Sequence, residues 1–406
     1  MSTLFPDLKF DVAAPPGWAY AAGDTIIGNI VRYTPVVTPE ATLKLVLTGR
    51  TMVKITESNG DSNITYSDQY ELLSHTPDII FRGPLHLPED SQEPVSWPFA
   101  VKIPDEPSAS CRKYHIQPAS FLPLNEDHPA HHVFPGSFSS SSGLIGSTSN
   151  CRVEYTLKAT LRYKFGSWKE HEATFHIKMR HTVVHTGQLR EAKTMESMRM
   201  VQTQRLLPGM ENAHLSFSEK ALKFFGSSKV PQFVYKVNLT VPLVMQLDNP
   251  EPLQIVLKID PLPHRTSDNI KDHTQQIRVN WIKLSIQNYT AVRAPGNFTH
   301  SCHSHSYGFS TDVGLESVFR KLESPLVIST GKGNEPVHIG NMFQLALSSG
   351  GLTAGKRRLT PIPQIQPSFT TYNIKHSHQQ KWKVSVTVAG EEQTHEFLAL
   401  LNVVAS

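Results

Sequence analysis

Cysteine is nearly absent. The 406 residues hold three, Cys111, Cys151 and Cys302, and an odd, sparse set builds no disulfide framework. Charge is scarce as well, at 18% Asp, Glu, Lys and Arg, against the Glu- and Lys-rich habit of helical proteins. No apolar run approaches the ~18–20 residues needed to cross a bilayer. The opening MSTLFPDLKF has no apolar core of a secretion signal, so the expectation is an intracellular, soluble chain. Net charge is +4 with histidine neutral, and Lys and Arg are dispersed where a nucleic-acid binder would gather them into a stripe. Strong catalytic signatures are missing too: there is no Gly-x-Ser-x-Gly elbow, no Walker A loop, no HExxH and no spaced CxxC.

What is there is strand. Residues 25–31 read TIIGNIV, and 42–47 read TLKLVL, with Leu43, Leu45 and Leu47 on one face and Lys44 opposite. That period of two marks a half-buried strand. Alternation also runs through 153–163, 277–286 and 382–388, and strand-like runs occupy 99–103, 173–179, 233–241, 253–259, 343–347 and 368–375, with 390–392 as a hairpin turn and 396–403 returning. Turn residues separate these runs, among them Pro15 to Gly17, Asn59 to Asp61, Pro104 to Pro107 and Gly166–Ser167. Many short strands between such turns predict β-sandwiches.

Two stretches break the pattern. Residues 130–150 contain SFSSSSGLIGSTSN and read as a mobile loop. Residues 181–230 are basic and Met-rich, and Ser218 is placed to cap a short helix over 216–225 with Ala221, Leu222 and Phe225 on its apolar face. The expected organisation is therefore all-β: two tandem immunoglobulin-like sandwiches, 1–180 and 231–406, joined by a connector at 181–230 that carries a short helix.

Candidate chemistry is thin. Histidine is plentiful, at 20 residues, and densest in His300-Ser301-Cys302-His303-Ser304-His305. On a strand His303 and His305 share a face and could reach one metal ion, so a metal-dependent enzyme centred there is one reading. A polar strand edge is the other. The acidic pairs Glu89–Asp90 and Asp105–Glu106 border Pro-rich turns and read as solvated loop charge. Gly331-Lys332-Gly333 begins a dinucleotide-like pattern, but Pro336 stands at the third glycine position. The sharpest basic run is Lys356-Arg357-Arg358, the candidate contact for an acidic partner. No catalytic residue, metal ligand set or cofactor site is assigned.

The motifs themselves resemble a known family. Tyr20-Ala21-Ala22-Gly23-Asp24-Thr25-Ile26-Ile27-Gly28-Asn29-Ile30-Val31 looks like the Y-x-x-G-[DE]-x-[IV]-x-G-x-[IV] opening of the arrestin N-terminal domain. Residues 43–49, LKLVLTG, are similar to its next strand. Trp97-Pro98-Phe99-Ala100-Val101-Lys102-Ile103-Pro104 and then 151–163 follow in the family's order, and 367–375 with 382–388 resemble the end of fungal arrestin-like proteins. The resemblance implies the arrestin fold. It also implies a non-catalytic scaffold that binds membrane-protein tails, sorting machinery or ubiquitin-ligase components. Such a protein would lie in the cytoplasm, at or near the plasma membrane or endosomes. A sandwich ligand-binding module, for carbohydrate for instance, is the further alternative. Many fungal members recruit a HECT-type ligase through Pro-Pro-x-Tyr. Here Pro15-Pro16-Gly17-Trp18 has Trp in place of Tyr.

Overall fold

The structure is a computed structural model. It describes residues 7–60, 62–74, 77–107, 115–124, 133–144, 146–181, 191–211, 230–296, 301–331, 334–361 and 364–406. Strands dominate the described residues and pair mainly antiparallel, as the alternating sequence predicts. The chain divides into two compact units. Unit 1 is Met1–Thr182 with Thr290–Tyr307 and Phe369–His376; unit 2 is Val183–Tyr289, Gly308–Ser368 and Ser377–Ser406. The division is not one cut in the sequence, because Val292, Ala294 and Ile374 are buried in the core of unit 1.

Unit 1 begins with β1 (Lys9–Val12) and β2 (Thr25–Arg32), then β3 (Val36–Asn59), β4 (Ser62–Ser74), β5 (Asp78–Leu87) and β6 (Val95–Lys102). Three further strands follow, β7 (Phe138–Leu144), β8 (Ser147–Phe165) and β9 (Ser167–Ile177). One sheet has the order β1-β2-β6. Its close approach needs Gly28: a Cβ there would lie 2.4 Å from the Asp11 carbonyl oxygen and 2.9 Å from Val12 Cα. The second sheet is organised on the long strands β3 and β8, which pair from Ala41–Tyr163 to Glu57–Ser147. β5 and β9 flank them at one end, β4 and β7 at the other. Ile26, Ile30, Leu43, Leu45, Leu157 and Leu161, the inward residues of these alternating runs, form the core with Trp97 and Phe99.

The Ser-rich stretch is not the loop expected. Phe138–Leu144 is an edge strand whose residues pair with Ser147–Val153 of β8. Backbone pairing against a long, well-anchored neighbour needs no apolar side chains. A buried anchor, Phe138, packs edge-on against Phe369, with ring centroids 4.9 Å apart.

Unit 2 carries β10 (Ala192–Gln202), β11 (Gln232–Pro242), β12 (Val244–Gln246) and β13 (Val256–Pro261). The long β14 (Gln276–Pro295) and β15 (Cys302–Asp312) come next; their residues Thr290–Tyr307 count with unit 1. After them follow β16 (Leu326–Ser329), β17 (Val337–His338), β18 (Leu345–Ser348), β19 (Gly351–Ala354), β20 (Arg357–Arg358), β21 (Phe369–Thr370), β22 (Ile374–Val388) and β23 (Glu391–Val404), of which Phe369–His376 count with unit 1. The sheet orders are β10-β11-β13-β17, β12-β23-β22-β14-β15 and β18-β19-β20. β22 and β23 form a hairpin whose two-residue loop, Ala389–Gly390, has φ of +46° and +79°, the left-handed pair that suits strand twist. Trp382, Val384, Val386 and Val388 all point into the core, as their alternation predicts.

Two expectations are corrected in this half. Ala192–Gln202 is not connector but a strand, paired along its whole length with β11; Met195 and Val201 are its buried residues. Its Lys, Glu and Met favour helix intrinsically, and sheet pairing overrides them. The helix expected over 216–225 lies outside the described residues. The strand expected over 343–347 instead starts as the end of a one-turn helix, Ile339–Phe343. Gln344 turns left-handed at φ +49° before β18.

Candidate functional site

A groove of about 860 Å³ lies in unit 1. It is assembled where β4, β3, β8 and β7 lie side by side, by residues from β4, β3 and the β7–β8 hairpin. One cross-strand row is Gln69, Met52 and Arg152; the next is Ser67, Lys54, Asn150 and Ser141; Thr56 and Thr148 form a third. These side chains alternate with Val53 and Ile55, which are buried in the core. Polar side chains predominate in the lining, Asp68 among them, with Met52 and Val53 adding apolar surface. Arg152 makes an ion pair with Glu154, 3.3 Å from Nε to Oε2, and its Nε lies 3.3 Å from Met52 Sδ. Lys54 is exposed and makes no ion pair with a described carboxylate. β7 forms one edge of the groove and pairs only with β8 among the described strands. Its outer row of N–H and C=O groups is a template for another strand. The described lining contains no histidine, cysteine or aromatic ring.

The other face of the same strands is packed by residues 302–307. His303 stacks on Tyr66, ring centroids 3.5 Å apart, and its Nδ1 lies 3.2 Å from Glu57 Oε1. His305 Nδ1 is 2.9 Å from Ser149 Oγ, and the Tyr307 hydroxyl is 3.6 Å from Cys151 Sγ. His303 and His305 thus share a strand face, and each is engaged by its own neighbour. Among the described residues no group of three His, Cys, Asp or Glu side chains could hold a metal ion. His300 and Cys111 lie outside the described residues. Burial pushes the Cys151 thiol up to about 11, and burial also raises Cys302. Both stay protonated at neutral pH and are poor nucleophiles.

In unit 2, Lys356, Arg357 and Arg358 come together on one exposed hairpin. Arg357 and Arg358 form β20, opposite Ala354 and Thr353, and Lys356 stands in the turn after Gly355 (φ +56°). The Arg358 guanidinium lies over Gly350, where a Cβ would be 2.7 Å from Cζ. None of the three makes an ion pair with a described residue. Glu89 and Asp90 are exposed turn residues. Lys332 and Gly333 lie outside the described residues. The groove escaped the sequence because each of its residues is an ordinary outward side chain; only strand register gathers them.

No family model matches the chain, and no curated protein matches it.

Proposed function

We propose that the chain is a non-catalytic, arrestin-like adaptor that binds extended acidic segments of other proteins. Membrane-protein tails and sorting or ubiquitin-ligase components are the partner class. The observation that carries this reading is the groove beside β7. A partner strand added to the β7 edge would gain main-chain hydrogen bonds, and alternate side chains would reach Lys54 and Arg152. The exposed Lys356, Arg357 and Arg358 offer a second contact for acidic sequence. A cytoplasmic site of action, at the plasma membrane or endosomes, follows from this reading and from the resemblance. Among the described residues no helix is long and apolar enough to cross a membrane.

The test is fluorescence anisotropy of a labelled Glu-rich peptide against the full chain. K54E combined with R152Q should weaken binding roughly tenfold at low salt and flatten its salt dependence. Equal affinity of wild type and variant would remove the groove from consideration.

A further inference from the structure

We propose that the end of unit 1 formed by the β8–β9 hairpin tip rests on an anionic membrane surface. Phe165 and Trp168 would lie at the lipid interface and Lys164 and Lys169 beside the headgroups. The inference does not depend on what occupies the groove.

The tip is tight. Phe165 pairs with Ser167 across Gly166, whose φ is +67°, so the two strands run to their end with no loop to fold back over them. At that end two large rings stand in solvent: Phe165 is 63% exposed and Trp168 46%. They occupy opposite faces of the hairpin. Phe165 continues the row of Leu161 and Tyr163, and Trp168 sits opposite Lys164 on the other side. Val37, 53% exposed, belongs to the same end, because the hydroxyl of its neighbour Thr38 donates to the Lys164 carbonyl at 2.6 Å. Two exposed rings and an exposed valine at one tip concentrate apolar surface at a protruding end of the unit.

The charges around the rings define that environment. Residues 162–170 hold three cations, Arg162, Lys164 and Lys169, against one carboxylate, Glu170. Arg162 lies over the Trp168 ring at 4.5 Å and faces Glu170 across the hairpin. Lys164 and Lys169 make no ion pair with a described residue. Indole and phenyl rings ahead of a cationic collar are the chemistry of the lipid interface, where amphipathic rings sit at headgroup depth and lysines meet anionic phosphate. A protein pocket would read one face of the hairpin. A bilayer surface receives both rings at once, which is why the occupant is lipid.

The full chain should co-sediment with vesicles of phosphatidylcholine mixed with phosphatidylserine. Binding to phosphatidylcholine alone should be much weaker, and added salt should reduce binding to the mixture. F165S combined with W168S should lower vesicle binding about tenfold or more, as should K164E with K169E, while the circular dichroism melt stays that of wild type. Brominated phospholipid should quench tryptophan emission in wild type, and the quenching should fall in W168F. That milder variant keeps the question open to measurement if the double serine variant fails to fold. Three results would overturn the proposal: no preference for anionic vesicles, vesicle binding indifferent to F165S/W168S, or no loss of quenching in W168F. Concentration-dependent self-association abolished by the same variants would assign the tip to a second copy of the chain instead.

Discussion

In unit 2 the His395 imidazole and the Tyr235 hydroxyl are buried against each other, Nε2 to oxygen 3.3 Å, while Nδ1 lies 3.0 Å from Ser197 Oγ. Burial, reinforced by Arg199, lowers the His395 pKa to about 4. Burial alone does the same to His378 and His181, both to about 4. In the unfolded chain such groups titrate at about 6.5. The unfolded state therefore binds more protons between pH 6.5 and 4, and stability falls as pH falls through that window. Above it the contribution is complete. Thermal melts at stepwise lower pH should show a progressive drop, of order 1–3 kcal/mol per histidine. A melting temperature flat across the window would contradict the burial of these rings.

Gln380 should be among the costliest polar side chains to remove. Its amide nitrogen donates to the Pro242 carbonyl at 2.7 Å and to the Leu400 carbonyl at 3.2 Å, and its oxygen accepts the Trp382 indole N–H at 3.0 Å. The side chains of Gln380 and Trp382 and the bond to Pro242 are fully buried. Gln380→Ala strands three groups, and urea unfolding should show a loss of roughly 2–4 kcal/mol. Thr194→Ala, on an exposed pair with Thr240, is the control and should change stability by less than about 0.5 kcal/mol.

Gly28→Ala should detach β1. The new methyl has no room beside the Asp11 carbonyl and Val12 Cα, and β1 pairs with β2 over only Lys9 to Val12. Faster amide exchange in residues 9–12, with the remaining strands protected as before, is the expected pattern. Full protection in that segment would show that the approach is looser than these distances.

Replacing Lys356, Arg357 and Arg358 with alanine together should leave the melt unchanged, because all three are exposed at a hairpin end. The same variant should bind a Glu-rich peptide more weakly, with a shallower salt dependence. If affinity does not move, the triplet is solvated charge.

His303→Ala should not alter metal content. Its ring is held by Tyr66 and Glu57, so elemental analysis of purified wild type and variant should find no stoichiometric zinc in either. Zinc bound by wild type and lost in the variant would revive the metal-dependent reading.

Strand identity was legible where one face is dry. The alternation at 382–388, 153–163 and 233–241 maps directly onto β22, β8 and β11, because a sheet with one buried face writes its period into the chain. Lengths were not legible. The apolar run at 42–47 is six residues inside the 24-residue β3, whose flanking stretches carry only scattered buried residues, Val36, Val53 and Ile55, and are held by neighbouring backbones. For the same reason Phe138–Leu144 and Ala192–Gln202 looked like loop and connector: edge strands are recruited by their partners. The groove was illegible altogether, since Lys54, Asn150 and Ser67 are far apart in sequence and meet only through register.

β3 answers to three partners: β5 along its first part, β4 along its second, and β8 along most of its length. A single residue added or deleted within it would have to be matched in its partners or absorbed as a bulge, as the β4 ladder does at Gly49–Arg50, or the side chains beyond the change would swap between oily interior and water. Change of length is therefore costly in this stretch, while the turn at Gly166, beyond the last β3 pairing, is freer to grow or shrink. Descendants of this sequence should diversify by lengthening their hairpin ends and keep the beam between them at constant span.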